Sequence, residues 1–231
     1  MSEKLDLVLL PVLSFLLTLC LVPPIRRLAP RWGYLAPPTP QRWHKRSTPS
    51  LGGVAFFIGF FLPALSFIPQ LSAAFPFFLI TAQMFVIGLY DDLYHINPAT
   101  KLIGQIIAAA TALFFGYALD FFTWPPLDVL LTAFWIVGLT NAVNLLDNMD
   151  GLAGGIGLIA ALYLALLFGQ HGDLQYALLA LALAGALAAF LVYNFHPASI
   201  FMGDAGSLFL GSTLSLLSIH AHGQASNILS L

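Results

Sequence analysis

The sequence predicts an all-α, polytopic bundle of about eight membrane-spanning helices. Three observations carry that prediction: 59% of the 231 residues are hydrophobic, only 8% are charged, and apolar runs recur along the whole chain. Each run is near the ~20 residues a helix needs to cross a bilayer, and soluble domains carry about a quarter of their residues charged. No polar stretch is long enough to fold as a separate domain, so residues 1–231 read as a single integral-membrane unit.

The first apolar run, 5–25, has no small-residue cleavage site and is followed by seven others, so it reads as a retained span rather than a removed secretory leader. Proline, glycine and charge breaks place the others near 52–69, 72–90, 101–119, 127–146, 152–168, 175–193 and 207–222. The single cysteine, Cys20, falls within the first span and has no partner for an internal disulfide; it is expected to face lipid or pack against a neighbour.

Charge sets the topology. Six of the eight basic residues, Arg26, Arg27, Arg31, Arg42, Lys45 and Arg46, lie in the first connection, which the positive-inside rule assigns to the cytoplasm. Counting crossings from there, the cytoplasmic connections are 26–51, 91–100, 147–151 and 194–206. They collect Asp91, Asp92, Asp147, Asp150 and Asp204, whereas the outward connections hold the scattered Asp120, Asp128 and Asp173. An aspartate at mid-bilayer costs about 2.5 to 3.5 kcal/mol on insertion scales, so acids at span ends are unremarkable singly. Five on one face imply a cluster at a protein-water boundary.

Four segments carry the candidate chemistry. In "GLYDDLYHINPATK", adjacent Asp91 and Asp92 repel unless a cation offsets them, and Lys101 opens the next span; a solvated helix end is the plain alternative. In "TNAVNLLDNMDGLAGG", Asn141, Asn144 and Asp147 form a polar stripe at helical spacing that Asp150 continues before Gly151 releases the backbone. Amides also bind membrane helices together, and Gly151 with Gly155 offers a small-residue packing pair. Two amides and two acids exceed what packing requires and favour a ligand or metal site.

In "NFHPASIFMGDAGS", Asp204 either caps the following helix or supplies oxygen to Mg²⁺, which prefers one or two carboxylates and keeps water and phosphate in its other positions. Phe201 offers a flat ring for a nucleobase, or simply core, and His196 reads as structural. In "RWHKRSTPSLGG", Arg42, Lys45 and Arg46 precede a turn and suit phosphate as well as topology. The chain has neither a Walker-type phosphate loop nor a zinc-spaced His/Cys set, and nothing in it points to nucleic acid.

Taken together these segments resemble the polyprenyl-phosphate N-acetylhexosamine-1-phosphate transferase family, glycosyltransferase family 4. Thr48-Pro-Ser-Leu-Gly-Gly53 is similar to its first cytoplasmic motif, Asp91-Asp92 to its Asp-Asp motif, Asn141 to Gly151 to its Asn-x-x-Asn-x-x-Asp-x-x-Asp-Gly motif, and His196-Pro-Ala to Ser207 to its Met-Gly-Asp-x-Gly-Ser motif. The resemblance implies a cell-membrane enzyme of the cytoplasmic face that moves a sugar 1-phosphate from a UDP-N-acetylhexosamine to undecaprenyl or another polyprenyl phosphate. It releases UMP, depends on Mg²⁺ or Mn²⁺ and initiates cell-envelope glycan synthesis. It implies Asp204 and Asp147 as metal ligands, Phe201 as a uracil-stacking ring and Asn144 with Asp147 and Asp150 as the nucleotide region. Asp91 and Asp92 become acceptor-side carboxylates, and Lys101 with the basic loop holds phosphate.

Leu146 before Asp147, with no threonine there, is closer to the UDP-GlcNAc branch than to the phospho-MurNAc-pentapeptide branch. Family members continue through further spans and a His-rich loop, so a chain stopping at "NILSL" is expected to be truncated; a homodimer stays open. The competing class is an ion-coupled transporter, in which acids and amides line a path through the bilayer.

Overall fold

The structure, a computed structural model, describes residues 2–36, 48–68 and 70–229. It contains eight α-helices: α1 Ser2–Leu28, α2 Gly52–Phe67, α3 Leu71–Tyr94, α4 Pro98–Phe114, α5 Pro125–Leu146, α6 Leu152–Gln170, α7 Leu174–Asn194 and α8 Gly203–Leu229. A short 3-10 turn, Ala29–Trp32, follows α1, and two-residue strands β1 (Leu35–Ala36) and β2 (Thr48–Pro49) pair antiparallel. Each of the eight helices overlaps one of the expected spans.

Five of them, α1, α3, α5, α6 and α7, are long and apolar enough to cross a bilayer on their own. At 16 and 17 residues, α2 and α4 are shorter apolar helices. At 1.5 Å per residue such helices reach about 25 Å, short of the ~30 Å hydrocarbon core. The case of α8 is different, since every residue from 205 to 217 is buried. An enclosed helix needs no greasy exterior, and Ser212, Thr213 and Ser215 turn their hydroxyls back onto carbonyls of their own helix.

Helix ends follow local chemistry. Asn97 accepts the Ala99 N–H at 2.9 Å and precedes Pro98, which opens α4; Asp173 accepts the Tyr176 N–H at 3.1 Å and opens α7. Two expected boundaries shift. The third span does not stop at 90: α3 runs on through Asp91 and Asp92 and ends where His95 turns left-handed at φ 52°. The fourth does not reach 119, because α4 ends at Phe114 before Gly116, which sits at φ 86°.

Packing is centred on α7 and α8: α1, α2 and α6 lie against α7, and α2, α3, α5 and α6 against α8. Phe56, Phe60, Phe77, Phe168, Phe190 and Phe209 fill the space between. The anticipated Gly151/Gly155 packing pair is not used, since a side chain at Gly155 would meet open space. Closer contacts fall at Gly154 and Gly157, and backbone meets backbone at Gly53, where an added Cβ would lie 2.3 Å from the backbone nitrogen of Gly206.

Replacing Gly53 by alanine is therefore expected to destabilise the bundle by about 2 kcal/mol, because backbone cannot step aside as a side chain can. Gly155→Ala is expected to be neutral or to stabilise by up to ~1 kcal/mol. Thermal unfolding of the two variants in detergent measures the contrast.

Candidate active site

A cavity of about 570 Å³ opens at one end of the bundle, and Asp91, Asp92, Asp147, Asp150 and Asp204 all line it. They arrive from the end of α3, the turn between α5 and α6 and the first turn of α8, and Tyr34 and Ser50 bring the first connection to the same wall. A second cavity of about 640 Å³ lies at the opposite end, around Asp173, Tyr176, His220 and Gln224. Burial pushes the Asp173 carboxyl up, but hydrogen bonds with His220, the Tyr176 amide and Gln224 bring it below the ordinary carboxylate range. The two polar ends are separated by the phenylalanine core.

Four helices meet at Asp204, in the first turn of α8. Lys101 Nζ, from α4, lies 2.9 Å from Asp204 Oδ2 and 2.9 Å from Asp91 Oδ2, so one ammonium bridges two carboxylates. Asp91 also accepts the Ile96 N–H at 3.0 Å. From α5, Asn144 donates through Nδ2 to Asp204 Oδ1 and to Ser207 Oγ, the latter at 2.7 Å. From α3, Asp92 accepts the backbone N–H groups of Asp204 and Ala205, each at 2.8 Å.

The wall formed by 147–151 and 194–202 is built from backbone. Asp147 ends α5, its N–H reaching the Val143 carbonyl, and Gly151 opens α6 at φ 68°. Asp150 Oδ2 lies 2.9 Å from His196 Nδ1 and accepts the Ala198 N–H at 3.0 Å. Buried Asn194 clamps both segments: its Oδ1 accepts the Gly151 N–H at 3.1 Å and its Nδ2 donates to the Ile200 carbonyl at 3.0 Å. The Thr48 to Gly53 segment docks alongside, with Gly52 and Gly53 N–H donating to the carbonyls of Phe201 and Met202, and Phe201 N–H donating to Pro49.

The sequence reading thus meets a specific geometry. The five aspartates, Asn144 and Phe201 stand together around one cavity. Lys101 stands beside it but is engaged by two carboxylates. Asn141 turns away to exchange hydrogen bonds with Gln105 on α4, so it joins helices. Arg42, Lys45 and Arg46 lie outside the described residues. Among the described residues, no three His, Cys, Asp or Glu side chains are grouped to enclose a metal ion by themselves. Asn194 and His95 were missed by sequence reasoning; the only signal for Asn194 is a polar residue ending an apolar helix.

Fold and site define a polytopic membrane protein with an acidic, amide-lined cavity at one end of its bundle. Residues 74–222 match the profile of glycosyl transferase family 4, and the chain belongs to that family. It is 36% identical over 220 residues to the probable undecaprenyl-phosphate N-acetylglucosaminyl 1-phosphate transferase of Bacillus subtilis, covering 90% of this chain and 61% of the relative. Over 249 residues it is 36% identical to the decaprenyl-phosphate N-acetylglucosaminephosphotransferase of Mycobacterium tuberculosis, covering 96% and 62%. It is 37% identical over 233 residues to the phospho-N-acetylmuramoyl-pentapeptide-transferase of Moorella thermoacetica, covering 90% and 70%. The chain spans about three fifths of the length of the first two relatives.

Asn194→Ala is expected to cost about 2 kcal/mol, since it strands a buried N–H and a carbonyl at once. Asn194→Asp, which keeps the Gly151 bond and opposes the Ile200 carbonyl, should fall between alanine and the unmodified protein in thermal unfolding.

Proposed function

We propose that this cavity is the catalytic centre of a transferase. It moves a sugar 1-phosphate, preferentially N-acetylglucosamine 1-phosphate, from a UDP-sugar to a polyprenyl phosphate and releases UMP. One observation carries the reading: carboxylates from three segments far apart along the chain share one cavity at a single end of the bundle. The names of the relatives support it, and the basic first connection favours the cytoplasmic face of the cell membrane.

The acceptor phosphate has a second pKa near 6, so it is mostly dianionic at neutral pH and needs no strong general base. The obstacle is electrostatic, because two phosphate-bearing substrates must enter beside five carboxylates. Mg²⁺ fits the residues present: it uses one or two carboxylates plus water and phosphate oxygens, and Asp204 and Asp147 supply that open set of hard oxygens. When bound, the ion supplies positive charge opposite the diphosphate and the departing UMP.

In this scheme Asn144 orients Asp204 through its amide, and Asp147 and Asp150 face the donor nucleotide. Phe201 presents its ring to the uracil, and Arg42, Lys45 and Arg46 support phosphate from the first connection. Asp91, held by Lys101 and the Ile96 amide, orients the acceptor or takes its residual proton. Lys101 holds the two carboxylates of donor and acceptor sides in register rather than binding phosphate alone. The boundary position lets the lipid arrive sideways. A transporter path is disfavoured, because the acids gather at the two ends and aromatic rings fill the middle.

In membranes containing the full chain, UDP-N-acetylglucosamine with polyprenyl phosphate is expected to release UMP only when Mg²⁺ or Mn²⁺ is added, and Asp204→Asn to reduce release to background. UMP release without a divalent ion, or cation transport in vesicles lacking transferase activity, contradicts the reading.

A further inference from the structure

We propose that Asp92 is a positioning residue: carried on α3, its carboxylate serves as the N-cap of α8 and fixes the backbone at Asp204. The role implied by resemblance, an acceptor-side carboxylate, then belongs to Asp91 alone. The effect on catalysis rests on the reading of Asp204 given above, but the cap itself does not.

A helix begins with backbone N–H groups that have no intrahelical partner, and a side-chain oxygen just upstream usually accepts one. Helix α8 lacks that local device, since Met202 and Gly203 carry no side-chain oxygen. Asp92, distant by 112 and 113 residues from the groups it bonds, takes its place with both oxygens at 2.8 Å. A negative charge there also opposes the positive end of the helix dipole.

The surroundings are shaped for this contact. Gly203 sits at φ 74°, and a Cβ on it would stand 2.8 Å from Asp92 Oδ2. One turn earlier on α3, a Cβ at Gly88 would stand 2.2 Å from the Asp204 carbonyl oxygen. Glycine at 88 lets α8 approach closely enough for the carboxylate at 92 to reach over its end. The neighbouring acids divide the work: Asp91 turns to Lys101 and the Ile96 amide, whereas Asp92 turns to α8. Both oxygens of Asp92 are thus engaged by short backbone bonds from the first turn of α8.

The test combines Asp92→Asn, Asp92→Ala and Gly88→Ala with two readouts. Amide hydrogen exchange over 204–207, measured without substrate or divalent ion, should quicken by roughly tenfold in Asp92→Ala, the effect of losing a cap of ordinary strength. It should quicken by an intermediate amount in Asp92→Asn, because the amide oxygen can still accept one of the two N–H groups while its NH2 cannot accept the other. UMP release at saturating Mg²⁺ should survive in Asp92→Asn above the level of Asp92→Ala. Both should need more Mg²⁺ for half-maximal rate, and Gly88→Ala should resemble Asp92→Ala although every carboxylate is intact.

Unchanged exchange in Asp92→Ala overturns the cap. Equal loss of turnover in Asp92→Asn and Asp92→Ala at every Mg²⁺ concentration, with exchange unaltered in Asp92→Asn, overturns the positioning role and places Asp92 at the reacting atoms. If the unmodified protein releases no UMP, the transferase reading fails while the exchange arm still decides the cap.

Discussion

The cost of placing carboxylates in hydrocarbon governs this molecule. Helices rich in leucine, alanine and phenylalanine can cross a bilayer, but carboxylates cannot stay in its middle without cost. They gather at span ends, and an antiparallel bundle brings alternate ends to one face. Asp91, Asp92, Asp147, Asp150 and Asp204 meet there around a single cavity, with aromatic core behind them.

Helix α8 shows how that constraint shapes the rest. Enclosed by its neighbours, it tolerates small and hydroxyl-bearing residues that a lipid-facing helix would replace with larger apolar ones. Its first turn reaches the boundary and is held from three directions: by Asp92 on α3, Lys101 on α4 and Asn144 on α5. Each partner satisfies a different atom of Asp204, so its carboxylate is fixed in position without being sealed off from the cavity. A rigid support behind an open group is what the proposed phosphate transfer would require.

The helices were legible because hydropathy and proline and glycine breaks act locally, and the eight segments appear where they were expected. That the five acids share one end of the bundle was also legible, since the parity of crossings depends only on order along the chain. Ends were less so: α3 continues through Asp91 and Asp92 because their side chains bond outward to Lys101 and α8. The Asn141 to Asp150 stripe looked uniform but divides, with Asn141 taken by Gln105 and Asn144 by Asp204. Asn194 and the capping role of Asp92 depend on partners far along the chain, and no local pattern announces such contacts.

The convergence itself can be measured directly. With Cys20 replaced by alanine, paired spin labels at the exposed His95 and Asn148 flank the cavity, while a label at His171 marks the other end of the bundle. The account predicts a 95–148 distance well below the 95–171 distance, which must span about 30 Å, the length of a helix of roughly 20 residues. A 95–148 distance as long as the 95–171 distance would contradict it, because the acids could not then share one site.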